Sequence, residues 1–556
     1  LGGCGAAGAA HRETLFVNGA IYVDADNKVN NLLVRDGIVA GHNVDPDEHP
    51  EASVVDLNGA AAYPGFNDSH VHLVSMAVAQ SILAESSALR EGKERPRPED
   101  FFDDIRIRCS EVPKGTPVMA HGFVLDDYDA WGLADLAALD AASGPDHPVM
   151  MADQLGHSYI VNSAAMRISG LDARTVEPPG GKIVRDPATG APTGMLRETA
   201  GALVGNVAIF PRVPDSIVRE PLLDLMRLWA SMGYTSIVEL MGGPMGRTMK
   251  PGLLRDLERE GELPLRVCYA YTFTGLKDLD GYNDAGPDTD LVHFSGLKLF
   301  VDGAAGQGGA WTSWENQIED PLQRHGLHAV LTEETEGLAE YNIFSIVDRS
   351  EELGLDVHYH VGGDLAIQAV LNAINAAKSK NGGLKGTHTL YHLGFLTDLQ
   401  IEEMKRLGKH VIAGIQPSLH WKNEQGNTER FYGPYAGSAY PYQKMLDAGT
   451  TLAFSSDFAS NTVQMSYPTE IMRVVLTGGE GIHPNTISMR DLIEGFTAGG
   501  FATTPLMNAG KLHVGYKADI VVFEKDLYDV PPYQLSKDFP RVLGTWVGGR
   551  KSTGDR

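Results

Sequence analysis

Between residues 221 and 457 the chain repeats one unit: an amphipathic stretch, a glycine able to end a helix in the left-handed region, and a short apolar run. Pro221 to Met232, Gly233 and Thr235 to Leu240 form its first instance; Leu253 to Glu260, Gly261 and Leu265 to Phe273 form the second. The apolar run Gly296 to Val301 follows. A long helical stretch ends at Gly354 and opens onto Leu355 to His360, and a helix over Asp364 to Ser379 precedes a strand over Thr387 to His392. Leu399 to Leu407, Gly408 and His410 to Gln416 repeat the pattern; Tyr442 to Ala448, Gly449 and Thr451 to Ser456 close it. Strands that alternate with helices lie parallel, because each helix carries the chain back to the same end of the sheet. With the apolar run before His70 the strands number eight, and eight β/α units close most economically into a TIM-like (β/α)8 barrel. An open doubly wound sheet is the competing arrangement.

Both ends of the chain read as β-rich. Thr14 to Val23, Asn31 to Ala40 and Ala52 to Leu57 are strand-like runs punctuated by Asn18-Gly19 and Asp36-Gly37, and Ala518 to Phe523 and Val542 to Val547 match them near the other terminus. The expected organisation is a tether over residues 1–13, a small β-sandwich domain built from both termini (14–62 and 508–556), and a barrel over 63–507. A long insertion after the first barrel strand, about residues 73–220, is expected over the strand ends, where barrel loops form substrate pockets.

Composition bounds the partners. Apolar residues make up 43% and charged residues 21%, which provides for a buried core and excludes global disorder. Against 46 basic side chains stand 72 acidic ones, a net charge of −26 that repels phosphate backbones and argues against nucleic acid. Cys4, Cys109 and Cys268 form no C-x-x-C pair, so neither a disulfide framework nor a thiolate zinc site is indicated. No apolar run reaches the roughly 18 residues of a membrane span. Leu1-Gly-Gly-Cys4 resembles the lipobox of bacterial lipoproteins, with Cys4 lipidated and Gly5 to Ala10 as a tether, although the charged and apolar parts of a signal peptide do not precede it. On that reading the protein is periplasmic or membrane-anchored through Cys4 alone; otherwise it is a cytoplasmic bacterial protein.

The strongest chemical signal is Pro64-Gly-Phe-Asn-Asp-Ser-His-Val-His72. Period-two alternation points His70 and His72 to one side of a strand end, where they can grip one ion, although an H-x-H pair alone is a weak signal. Its weight comes from the other ligand types at strand ends: His360 closes its strand, His392 the next, and Asp457 follows Ser455-Ser456. In a barrel all these ends face one mouth, where catalysis on this architecture is assembled. Lys298 lies inside an apolar run, a poor place for a solvated ammonium. One reading pairs it with Asp302, or buries its stem and lets its head reach water. The other is a lysine carbamate, in which carbon dioxide adds to the neutral amine and creates an anionic bridge for two divalent ions.

The segments PGFNDSHVHL, DHPVMMADQLGHSYIVNSAAM, GGKIVRDPATGAPTGMLRE, GLKLFVDGAAGQ, HVGGDLAI, YHLGFLTD, FSSDFAS and GYKADIVVFEKD resemble, in order and over most of the chain after residue 14, the amidohydrolase superfamily, within it the YtcJ-like branch that includes N-substituted formamide deformylases. The resemblance implies His70, His72, Lys298, His360, His392 and Asp457 as metal ligands, Lys298 carboxylated, and Asp457 also moving protons. It implies one or two divalent ions, zinc foremost, a small-molecule substrate, and association as dimers or larger. Two departures bear on the pocket: Gly362 stands where a branched residue is usual, and Ala304-Ala-Gly306 is unusually small.

The expected activity is hydrolysis of a non-peptide carbon–nitrogen bond, the linear amide of an N-formyl, N-acyl or N-carbamoyl compound, by ion-activated hydroxide with Asp457 as general base and then general acid. A cyclic amide, ester or lactone hydrolase, or a non-catalytic regulatory or binding protein on the same barrel, are the alternatives. Among lesser candidates, His358 and His388, deeper in their strands, read as core histidines, with substitute metal ligands by shared strand parity as the competing reading. Glu239 reads as a support beside the metal or an alternative bridging carboxylate. His157, Trp311, Trp314, His420 and Trp421 are candidate pocket residues, with ordinary packing as the competing reading of each.

Overall fold

The barrel is built from β1 (Phe66–Val71), β2 (Tyr234–Met241), β3 (Arg266–Thr272), β4 (Val292–Phe300), β5 (Val357–Val361), β6 (His388–His392), β7 (Val411–Ile415) and β8 (Leu452–Phe454). They form one sheet in which every neighbour in space is the neighbour in sequence and every pair is parallel. The computed structural model describes residues 13–553 apart from 125–130, 154–157, 242–247, 249, 274, 277–278, 280–285, 318–323, 336–337, 420–424, 459, 461 and 482–486. Cys4 therefore lies outside the described residues.

The sequence units become β/α units for the reasons read from them. The helix Ile343–Leu353 ends at Gly354, which takes the left-handed cap (φ 70°) and turns the chain into β5. Two boundaries differ from expectation. The helix before β2 starts at Asp215 and carries Pro221 inside it, rather than starting at the proline. The fourth strand begins at Val292 and runs through Gly296, where a Cβ would sit 2.0 Å from the carbonyl oxygen of Asp356. Only glycine permits β4 and β5 to approach this closely.

No backbone ladder joins β8 to β1, and the seam is closed otherwise. Asp457 N donates to His70 O at 2.9 Å, His72 N to Phe458 O at 2.6 Å, and Ser69 Oγ to Phe454 O at 3.1 Å.

Two further sheets follow, the first built from N-terminal strands and the second from strands of both ends of the chain. One orders Ile38–His42, Leu32–Arg35, Glu13–Val17 and Ser53–Asp56; the other orders Arg550–Thr553, Val542–Val547, Ile520–Phe523, Ala61–Pro64, Ala20–Tyr22 and Lys28–Val29. Phe16, Ile21, Leu32, Val34, Ile520, Val522 and Trp546 share one buried cluster drawn from both sheets, as a sandwich requires. Asp36 and Gly37 both take positive φ (50° and 82°), the hairpin turn their sequence calls for.

The insertion carries a sheet that the sequence reading did not anticipate: Lys182–Arg185, Pro192–Arg197, Ser158–Val161, Val149–Asp153 and Val118–Phe123, in that order. It has its own core, including Phe101, Ile105, Trp131, Val149 and Met195. Among the described residues no helix is long and apolar enough to cross a membrane.

Candidate metal centre

Strand ends deliver the side chains. His70 is the last residue but one of β1 with His72 just past it, His360 and His392 lie at or next to the ends of β5 and β6, and Asp457 follows β8. Asp457 Oδ1 stands 3.4 Å from His70 Nε2 and 3.4 Å from His72 Nε2, and its Oδ2 is 3.9 Å from His392 Nδ1. His70, His392 and Asp457 each offer a ligand atom within 4.8 Å of the others. The His360 ring centroid is 4.2 Å from that of His392. His70, His72, His360, His392 and Asp457 thus lie at one rim.

Lys298 is fully buried, and among the described residues its Nζ has no hydrogen-bond partner; it lies 5.2 Å from the ring centroid of Phe300 and 5.1 Å from that of Tyr391. Neither the ion pair with Asp302 nor the head reaching water describes it. Asp302 accepts instead from the backbone N–H groups of Gly362 (2.8 Å), Gly363 (2.8 Å) and Trp311 (3.0 Å), binding the loop after β4 to the loop after β5.

The residues fit a divalent ion. Buried polar atoms almost always have partners, yet among the described residues His70 Nδ1, His360 Nε2 and Lys298 Nζ have none. Imidazole nitrogen with carboxylate oxygen is a donor set that suits zinc and also admits iron, manganese or cobalt. His72 Nδ1 lies 2.8 Å from Leu240 O, which fixes the ring with Nε2 facing Asp457.

Burial keeps two of these histidines uncharged. Burial, and then the Lys298 charge, hold His70 well below the usual histidine range and bring His360 down to about 3. Burial brings Lys298 down to about 7, against the pull of Asp457. At His72 burial acts downward, but the hydrogen bond and charge of Asp457 outweigh it and raise the pKa. Strain concentrates here too: His392 (φ 76°), Leu393 (φ 50°) and Asp457 (φ 53°) all sit in the left-handed region, each at a cost of about 1–3 kcal/mol.

His358 and His388 are satisfied core histidines. His358 Nε2 is 3.0 Å from Ser295 Oγ and its Nδ1 3.2 Å from the Tyr391 hydroxyl, while His388 lies between Glu351 (2.9 Å) and the Tyr359 hydroxyl (2.9 Å). Glu239 is fully buried and its Oε2 accepts from Val74 N at 3.1 Å, capping the helix that follows His72. Burial pushes its carboxyl up to about 7, and Oε1 has no partner. Trp311 is half-buried with its ring 4.2 Å from that of His328, and Trp314 stacks on Tyr435 at 4.3 Å. His157, His420 and Trp421 lie outside the described residues. A Cβ on Gly362 would meet Ala310 Cβ at 3.3 Å and Gly303 O at 3.4 Å, so a branched residue here would press on the loop after β4.

Two residues escaped the sequence reading. Tyr391 lies against the centre, its ring 4.5 Å from that of His70 and its hydroxyl bonded to Ser69 O at 2.6 Å. Asp68, in the same motif as the two histidines, is a fully buried carboxylate bonded across the barrel seam. Its two-residue spacing from His70 points it to the mouth by alternation, so the sequence carried no signal of its place on the seam.

A parallel barrel with imidazoles and a carboxylate gathered at the carboxyl ends of its strands is the frame of a metal-dependent hydrolase. The chain belongs to the amidohydrolase family, whose model matches residues 53–552, and it is accordingly a hydrolase of carbon–nitrogen bonds acting on a small molecule. It is 26% identical over 563 residues to an N-substituted formamide deformylase of Arthrobacter pascens, covering 97% of this chain and 98% of that one. It is also 26% identical to the exoenzymes regulatory protein AepA of Pectobacterium carotovorum, covering 79% and 91%. An uncharacterized metal-dependent hydrolase from Pyrococcus horikoshii shares the fold with a TM-score of 0.68 at 20% identity, over 94% of this chain and 99% of that one.

Proposed function

We propose that this amidohydrolase cleaves the linear amide of an N-formyl, N-acyl or N-carbamoyl compound, with His70, His72, His360, His392, Asp457 and a carboxylated Lys298 holding one or two divalent ions, zinc foremost. The observation that carries it is the meeting of His70, His392 and Asp457 within 4.8 Å, beside a buried lysine with no partner. The formamide deformylase of Arthrobacter pascens, similar over nearly the whole chain, supports the linear amide.

When bound, such an ion supplies Lewis acidity, bringing the pKa of water from 15.7 to about 7 and polarising a carbonyl oxygen. The chain's own residues do the rest. Asp457 takes a proton from the attacking water at a carboxylate oxygen and passes it to the departing amine nitrogen, general base then general acid work typically worth about 10²- to 10⁴-fold. His72, fixed by Leu240 O, keeps its Nε2 turned to the Asp457 carboxylate. The Lys298 amine, buried and without a counter-ion in hydrogen-bond reach, is disposed to add carbon dioxide: the new N–C bond forms, one proton leaves the nitrogen, and an anionic two-oxygen group results.

The test is metal analysis joined to turnover on a panel of linear amides, cyclic amides, esters and lactones. Chelation is expected to abolish turnover and a divalent ion to restore it. Asp457→Asn should retain metal while losing at least about 10²-fold in kcat; near-normal rates would remove Asp457 from the mechanism. Turnover confined to cyclic substrates would reassign the substrate class, and stoichiometric metal with no turnover would favour a binding protein.

A further inference from the structure

We infer that Asp68 is a positioning residue: through Ser456 it sets the backbone that aims the Asp457 carboxylate at the imidazoles, a role that rests on the metal-centre reading above. The barrel seam is where the device lies. No ladder joins β8 to β1 among the described residues, and the segment that carries Asp457 is held to β1 by separate backbone bonds, Asp457 N to His70 O and His72 N to Phe458 O. Asp68 adds a side-chain clamp to them. Its Oδ1 accepts from Ser456 N at 2.9 Å, and its Oδ2 accepts from Ser456 Oγ at 2.6 Å and from the indole Nε1–H of Trp229 at 2.9 Å.

Ser456 Oγ in turn accepts from Phe458 N at 3.2 Å, so the residues before and after Asp457 are both tied to one carboxylate. Trp229, fully buried on the helix Asp215–Ser231, also packs its ring 4.8 Å from that of Phe458. The clamp thus reaches the far side of Asp457 by packing as well as by hydrogen bonds. Between the two anchors Asp457 adopts φ 53°, a conformation that a non-glycine residue holds only when its surroundings impose it.

The orientation of Asp68 has a cause in the sheet. Ile237 of β2 pairs with Asp68, but Glu239 pairs with Val71, so β1 carries one extra residue between those two points. A bulge of this kind re-aims side chains next to active sites. It takes Asp68 out of phase with His70 and turns it to Trp229, leaving both histidines at the mouth.

A carboxylate is required by the donor count. Ionised, it is acceptor-only and takes the Ser456 N–H, the Ser456 O–H and the indole N–H together. An amide in its place keeps one accepting oxygen and sets an NH2 against a donor.

The experiment uses the full chain with Co2+ as the probe. Asp68→Asn and Ser456→Ala are compared with wild type for Co2+ affinity, visible spectrum, and kcat and KM on whichever panel amide the wild type hydrolyses. Groups that orient a metal site cost about 10- to 100-fold in affinity or activity when removed. The expected result is weakening of that size, an altered Co2+ spectrum, and a fall in kcat with KM held within about twofold. Ser456→Thr, which keeps the hydroxyl, is expected to restore wild-type behaviour. Variants that lose thermal stability but bind Co2+ with the wild-type affinity and spectrum overturn the inference, because Asp68 is then only a structural tie. If Asp68→Asn does not fold, Ser456→Ala, which removes a single hydroxyl, decides by the same readouts. Wild-type protein that takes up no Co2+ overturns the metal-centre reading itself, and this inference with it.

Discussion

Arg266 opens β3 and is 1% exposed, and its partner is Asp519, which immediately precedes the terminal strand Ile520–Phe523 and is 3% exposed. The guanidinium donates from Nε to Asp519 Oδ2 at 2.7 Å and from Nη2 to Oδ1 at 3.0 Å, a bidentate pair joining barrel to terminal sheet. Asp519→Ala would strand the guanidinium. What remains to it is the carbonyl of Asp290 at 2.8 Å and that residue's carboxylate at 3.3 Å, whose side chain is 72% exposed and screened by water. Gly548 N, which donates to Asp519 at 2.7 Å, loses its acceptor as well. Removing one partner of a buried ion pair costs about 3–5 kcal/mol. With an unfolding entropy of about 2 cal/mol/K per residue, a chain of 556 residues converts about 4 kcal/mol into a fall in Tm of roughly 3–4 °C. Scanning calorimetry measures it directly. The double variant Arg266→Met with Asp519→Leu is expected to lose less than the single one, because apolar groups of similar volume escape the desolvation cost of a lone charge. A single-variant shift under about 1 °C, or a double variant as damaged as the single, would refute the assignment of the pair as the tie.

At Glu351 burial acts to raise the pKa, but the hydrogen bonds of His388 and of the Lys385 and Gly386 N–H groups outweigh it and leave it lowered. A lowered carboxyl contributes stability present above its unfolded pKa of about 4.3 and lost as pH falls through the folded value. Glu351→Gln is therefore expected to unfold earlier than wild type in urea at pH 7, with the gap closing at acid pH; a gap constant down to about pH 3 would contradict this. Gly363→Ala would place a methyl 1.9 Å from Trp311 O, in backbone that cannot yield cheaply. A loss of about 1–3 kcal/mol is expected from denaturant titration, and wild-type stability would show that the loops after β4 and β5 do not approach as described.

The β/α series was legible because three signals coincided in each unit: an amphipathic helix, a glycine at its end as at Gly354, and a short apolar run. Convergence of His70, His360, His392 and Asp457 was legible for a related reason, since strand ends of a parallel barrel share one rim. The insertion's sheet was not. Val149–Asp153 and Ser158–Val161 are buried at every position, so neither shows the alternation that marks a strand with one wet face. Lys298 was ambiguous because Asp302 is near in sequence, yet four residues of extended chain span about 13 Å. The pair could meet only if the chain folded back, and Asp302 bonds the N–H groups of the next loop instead.

Asp68 was hidden for a deeper reason. Strict alternation gives it the same face as His70 and makes it one more acidic group at the mouth. One extra residue in β1, invisible without the pairing partner, reverses that assignment and puts the carboxylate on the barrel seam. A pattern of period two thus locates the groups that face the substrate only up to the nearest bulge. Beyond it, the residues that aim those groups must be sought on the opposite face, where Trp229 and Ser456 meet Asp68.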